Sequence, residues 1–248
     1  FPYTTLFRSF LGFGRLTDER RIAGFGNHLT LGVNVSRGWV ENSQSVNLPG
    51  GHKGTLLSQS TDRATTSVGY AENSFDIRPD LSLIAGAQLV HAIREREDEL
   101  PAAPNTSGKN EYVFFNPKGG VLWRVDADWQ VFANVSRSGE APSFGELNFT
   151  NAVLSDTKAQ RATTFEVGTR GRRPDFTWDL ALYRAYLKNE FQFFDLGGGN
   201  FQVTNADDTI HQGVEAGFGW AFWKEMLAKG VRADRLWLNA AYTYSDFR

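Results

Sequence analysis

Ile210-His211-Gln212-Gly213-Val214-Glu215-Ala216-Gly217-Phe218-Gly219-Trp220-Ala221-Phe222 separates by parity. The even positions, Ile210, Gln212, Val214, Ala216, Phe218, Trp220 and Phe222, are almost wholly apolar, with aromatics gathered at one end. The odd positions, His211, Gly213, Glu215, Gly217, Gly219 and Ala221, are polar or very small. Period two marks a strand with two different faces. The run is about twice the length of a typical soluble strand of ~5–6 residues. A tilted strand needs ~9–11 residues to cross a bilayer. The stretch reads as a transmembrane β-strand with its apolar face to lipid and its polar face to a lumen. A soluble sandwich strand carries the same local pattern, so the decision rests on whether the chain repeats the unit.

Eight further stretches repeat it. His28–Trp39 sets Leu29, Leu31, Val33, Val35 and Trp39 against Thr30, Gly32, Asn34, Ser36 and Gly38. Thr65–Ile77 is a weaker version, and Leu81–Ile93 and Glu111–Val125 follow. Trp129–Arg137 alternates except at Phe132, which falls on the polar face. Arg161–Gly171, the long Phe176–Phe194 and Leu236–Ser245 complete the set. Arg78-Pro79-Asp80, Asp126-Ala127-Asp128 and Arg173-Pro174-Asp175 are short turns, two of them with a proline that fixes φ and removes a donor. The polar stretches Glu41–Arg63, Glu95–Lys109, Ser138–Gln160 and Leu196–Thr209 read as long loops, and Trp223–Asp234 as a medium one. Long and short connections alternate, as in outer-membrane barrels with short periplasmic turns and longer external loops. A sandwich has no reason for that regularity. Trp39, Trp129, Trp178, Trp220 and Phe222, near strand ends, suit interfacial girdles. The expected fold is all-β: an antiparallel transmembrane β-barrel, partial, of about nine strands.

Composition agrees without deciding. Net charge is -2, which gives no reason to expect a nucleic-acid partner. Mean hydropathy is negative and no apolar run approaches the ~18 residues of a membrane helix, but alternation hides barrels from that test. Cysteine is absent, so no disulfide and no cysteine-based metal site is possible. Phe1–Ser9 reads FPYTTLFRS, which resembles a translated sequencing-adaptor oligonucleotide. Residues 1–9 are set aside as a scar, leaving 10–248 as one barrel unit cut from a longer protein.

Asn134-Val135-Ser136-Arg137-Ser138-Gly139-Glu140-Ala141-Pro142-Ser143-Phe144-Gly145-Glu146-Leu147 resembles the mid-barrel segment of TonB-dependent outer-membrane receptors, where a strand ending in Ser-Arg enters a loop with a Pro-Ser/Thr-x-x-Glu-Leu core. Ala159-Gln160 with Thr163-Thr164-Phe165-Glu166-Val167-Gly168 resembles a second segment of that family. Asn205-Ala206-Asp207 with Thr209, His211 and Gly213-Val214-Glu215 resembles a third, in matching order and spacing. The resemblance implies a barrel of 22 strands around an N-terminal plug, of which this chain would hold less than half and no plug. It implies uptake of a scarce nutrient, most often a ferric siderophore, driven by the TonB complex through the plug. The implied surroundings are outer-membrane lipid of a Gram-negative cell, with no cofactor and no catalysis.

Arg137 stands where a strand meets an external loop, and a guanidinium suits the carboxylates of a chelate. A rim salt bridge with Glu140 or Glu146 is the plainer role for it. Arg63, Arg94 and Arg96 are further loop-proximal cations, and with Arg137 and Glu140 they make the candidate ligand site. His211 and Glu215 face one side of one strand, and a lumen network explains them better than a metal pair. No Ser-His-Asp or paired-carboxylate constellation appears at a useful spacing. A passive porin or adhesin barrel, or an outer-membrane hydrolase barrel, are the alternatives. The former lacks the three segments and the latter needs a nucleophile that nothing here singles out.

Overall fold

The structure, a computed structural model, describes residues 3–100, 105–147, 156–197, 200–228, 230 and 234–248. Parts of the connections expected at Glu95–Lys109, Ser138–Gln160 and Trp223–Asp234 therefore lie outside the described residues. Twelve strands are described: β1 (Tyr3–Asp18), β2 (Asn27–Leu48), β3 (His52–Arg78), β4 (Leu81–Asp98), β5 (Gly108–Asp126), β6 (Trp129–Glu140), β7 (Gln160–Arg172), β8 (Phe176–Lys188), β9 (Phe191–Gly197), β10 (Asn200–Asn205), β11 (Thr209–Lys224) and β12 (Arg235–Phe247). Ten form one antiparallel sheet in the order β1-β2-β3-β4-β5-β6-β7-β8-β11-β12, an open partial barrel with β1 and β12 at its edges. β9 and β10 pair only with each other. No described helix is long and apolar enough to cross a membrane, which says nothing of strands.

Register carries the parity of the opening stretch across the sheet. Val214, Ala216, Phe218 and Trp220 of β11 lie opposite Tyr244, Tyr242, Ala240 and Leu238 of β12, and opposite Leu182, Leu180, Trp178 and Phe176 of β8. Directly opposed residues share a face, so one apolar outer face continues through Val167, Ala133, Val121 and Leu83. The other, lumen face carries Gly213, Glu215 and Gly217, with Tyr183 and Thr177 of β8 beside them. Phe132 does point to the lumen face. A Cβ at Gly168, its partner on β7, would overlap the Phe132 ring, so the glycine makes room for a large side chain on the polar side.

The sheet departs from the expected nine strands in three places. β1 is a tenth, and it includes Tyr3–Ser9, which the sequence reading had set aside. Glu41–Arg63 is not a loop. β2 and β3 run on through it to a tight turn at Pro49–Gly51, where Gly50 and Gly51 take positive φ, and β3 reaches 27 residues. Phe176–Phe194 is not one strand. It breaks at Asn189, which has φ 55°, and its last residues start β9, which pairs with β10 from inside the expected Leu196–Thr209 loop.

At the short-turn end the aromatics form a girdle. Trp129 and Trp178 lie edge to face at 6.5 Å, and Phe176 stacks on Trp178 at 5.6 Å. Both indoles donate to Thr169 Oγ1, at 2.8 and 3.4 Å, and Trp123 Nε1 donates to Asp80 in the neighbouring turn. The turns are tied sideways: Arg173 of the β7–β8 turn donates to Asp126 and Asp128 of the β5–β6 turn, at 2.5 and 3.2 Å.

Candidate ligand site at the wide end

β6 pairs with β5 only as far as Ser136 opposite Lys118, and then stays with β7 alone. Past that point it crosses onto the lumen side. A Cβ at Gly139 would overlap the Phe114 ring of β5, and Arg161 of β7 lies over the same ring at 5.6 Å. Arg94 Nε donates to Pro142 O at 3.1 Å, and Tyr112 Oη donates to Thr157 O at 3.1 Å, so both roots of the β6–β7 loop are fastened to β4 and β5. The loop folds on itself at Pro142–Leu147. Ser143 O accepts from Leu147 N (3.0 Å), while the Glu146 carboxylate accepts from Ser143 N (2.6 Å). Pro142, Leu147 and Phe114 are among the largest fully buried side chains in the described structure. The Pro-Ser-x-x-Glu-Leu pattern is thus one helical turn closed by its own carboxylate, with an apolar residue buried at each end.

Beneath this cap lie two adjoining recesses on the lumen face, of about 120 and 370 Å³, sharing Glu72, Lys118 and Ser136. The smaller adds Tyr70, Gln88, Asn116 and Arg137, and the larger adds Phe132, Asn134 and Arg170. Lys118 is ion-paired with Glu72, and Asn134 Nδ2 donates to Glu166 at 2.8 Å. Arg170 lies over the Phe132 ring at 5.8 Å and donates to Gln130. Arg137 shares strand parity with outward Val135, yet it lines the smaller recess, because its strand has already left β5. It is exposed, and among the described residues it forms no ion pair. Neither Glu140 nor Glu146 bridges to it, and Glu146 is occupied within its own turn.

The structure separates the other candidates. Arg96 makes a two-pronged bond to Asp62 at 2.6 and 2.7 Å, with the Asp62 side chain 5% exposed, so its charge is already answered. Arg94 is committed to Pro142 O, Ile93 O and Thr66. Arg63 opposes Trp39 and Glu95 on the outer face and pairs with Glu97 at 2.7 Å, away from the lumen. Glu140 is exposed at the end of β6. His211 bonds Glu190 at 3.0 Å rather than Glu215, and no described group of three acidic or imidazole side chains could hold a metal ion. The sequence reading missed Lys118, Glu72, Gln88 and Asn116. Their signal was lumen parity on β3, β4 and β5, which becomes visible once register carries the alternation from strand to strand.

The model of the TonB-dependent receptor-like β-barrel family matches residues 2–248. The chain belongs to the TonB-dependent receptor family. Solved structures give the same fold at low identity. The siderophore receptor PiuA from Acinetobacter baumannii superposes with a TM-score of 0.74 at 15% identity, over 99% of this chain and 39% of that one. The ferric citrate transporter FecA gives 0.71 at 18%, over 99% and 37%. The copper transporter OprC gives 0.69 at 14%, over 89% and 36%. This TonB-dependent receptor chain thus spans less than two-fifths of each of these relatives. Within this receptor barrel the chain presents a polar, capped recess on the inner face of a sheet whose outer face is apolar.

Proposed function

We propose that the receptor containing this chain sits in the outer membrane of a Gram-negative cell and takes up a ferric chelate, most often a siderophore, by TonB-driven transport through a plug. It acts as a transporter without catalysis. The observation that carries the cargo class is Arg137, which lines a polar recess beneath a fastened cap and forms no ion pair among the described residues. Every other cation of the original candidate set is committed elsewhere: Arg63 to Glu97, Arg94 to Pro142 and Arg96 to Asp62. An anionic ligand in the recess would meet Arg137 beside the Lys118–Glu72 ion pair, with Gln88, Asn116 and Ser136 as neutral hydrogen-bonding neighbours. Arg94 and Arg96 hold the wall, Arg63 lies on the outer side, and Glu140 would tune the field at the entrance. Two of the named relatives support this cargo by their names, a siderophore receptor and a ferric citrate transporter, while the third is named for copper.

The test is equilibrium binding of ferric citrate and of a ferric catecholate to the intact purified receptor. Losing one charge-assisted hydrogen bond of ~1.5–3 kcal/mol should raise Kd roughly ten- to a hundredfold in Arg137→Ala. Barrel assembly should be retained, since the Arg137 side chain forms no ion pair among the described residues. Unchanged binding with loss of heat resistance would instead make Arg137 a rim-stabilising residue. Binding of uncharged ligands only would end the ferric assignment and leave the receptor fold standing.

A further inference from the structure

The third motif segment has a structural role that the uptake reading does not use. β9 and β10 form an arm that pairs with no strand of the main sheet and carries exposed Phe193 and Phe194. Its root is closed by Asn205. The Asn205 Oδ1 accepts from Lys158 N at 2.8 Å, and its Nδ2 donates to Lys158 O at 2.9 Å and to Asn189 O at 2.8 Å. One side-chain amide thus imitates a peptide group and bonds to two separate connections, the foot of the β6–β7 loop and the exit from β8. Around it, Gln160 Oε1 accepts from Phe191 N at 3.1 Å, and Glu190 binds both Thr209 Oγ1 and His211. The foot it grips is itself anchored, because Tyr112 donates to Thr157 O one residue before Lys158.

We propose that Asn205 is a positioning residue. It fixes the angle of the β9–β10 arm against the anchored foot of the β6–β7 cap, so that arm and cap hold one geometry over the mouth. Three hydrogen bonds from one amide remove rotation at the root more effectively than the two chain crossings alone, because each bond reaches a different backbone group. That the arm and cap face a ligand rests on the uptake reading, but the rigidity of the root does not.

The test places spin labels on cysteines introduced at Asp195, on the arm, and Val113, on the outer face of β5, in the intact receptor with any other cysteines removed; this chain has none. Pulsed dipolar spectroscopy reads the distance distribution. The expected result is a narrow distribution that broadens at least twofold in Asn205→Ala. Asn205→Asp keeps the shape and the acceptor for Lys158 N but loses both donors, and should broaden it similarly. Heat-resistant migration on gels should persist in both, since the ten-stranded sheet is untouched. An unchanged distribution in both variants, or broadening that only accompanies loss of heat resistance, would overturn the proposal. Neither readout uses a ligand, so failure here and failure of the ferric assignment are distinguishable.

Discussion

Arg173 shows how one side chain joins two turns that are far apart in sequence. Its guanidinium reaches Asp126 and Asp128 together, while the Asp128 backbone N–H caps the same Asp126 carboxylate at 2.8 Å. That N–H, followed by the Arg173 bond, holds the Asp126 carboxyl below the usual carboxylate range. A lowered carboxyl favours the folded state above the unfolded value of ~3.9 and loses that contribution as pH falls through the folded value. Arg173→Ala should move the Asp126 titration, followed by carboxyl NMR, part of the way back towards the ordinary range, since the Asp128 N–H remains. An unmoved midpoint would show that the turns are not electrostatically tied. The residues also show where sequence reading stops. Phe132 looked misplaced because the space for it is supplied by Gly168 on another strand, a relation that appears only with register. Arg137 reads as a ligand contact from its place at a strand end, but it shares the parity of outward Val135, and it lines the recess only where β6 has separated from β5.

Among the elements, the strand interiors were legible and the strand ends were not. Between lipid and lumen the two faces have different solvents, so alternation is enforced and β4, β5, β7, β8 and β11 can be read directly. Beyond the lipid both faces meet water. Glu41–Arg63 therefore loses its alternation while β2 and β3 continue on backbone pairing and polar side-chain bonds such as Asn42 Nδ2 to Asp62 at 3.3 Å. The same absence of pattern hid β10, while β9 reads as a continuation of β8. Glycine placement gives a paired test of the register. A Cβ at Gly168 would overlap Phe132 and lie 2.6 Å from Leu180 O, whereas a Cβ at Gly217 meets nothing within 4 Å. Gly168→Ala should cost ~1–3 kcal/mol, the usual range for overpacking, read as a lower unfolding temperature in detergent, and Gly217→Ala should be close to neutral. Equal effects would mean that the register of β6 on β7 is wrong.

For the molecule as a whole, the apolar face is the dominant fact. Phe165, Val167, Leu182, Phe218 and Trp220 are each between 43 and 51% exposed, on one continuous face. Both sheet edges, β1 and β12, present unpaired backbone. The isolated chain should remain aggregated in water and disperse only with detergent or lipid, checked by light scattering with and without detergent. A monodisperse species without detergent would contradict a lipid-facing sheet. The candidate site was the least legible part, because it is assembled from β3, β4, β5, β6 and β7, and no local stretch contains it.

The small β9–β10 sheet also bears on how fast the strands find one another. All other neighbours in the large sheet are consecutive in sequence, but β8 must meet β11 across about twenty intervening residues, a closure cost that grows as (3/2)RT ln n. Once β9 and β10 have zipped together, only Asn189, Glu190 and Ala206 to Asp208 remain to be closed, which lowers the cost by about 1 kcal/mol. Replacing residues 191–205 with a flexible Gly-Ser segment of equal length should therefore slow refolding into lipid several-fold, measured by the appearance of the heat-resistant gel species. The arm is then a kinetic shortcut: a local hairpin that carries the chain over one of its two longest gaps while the barrel wall is being laid down.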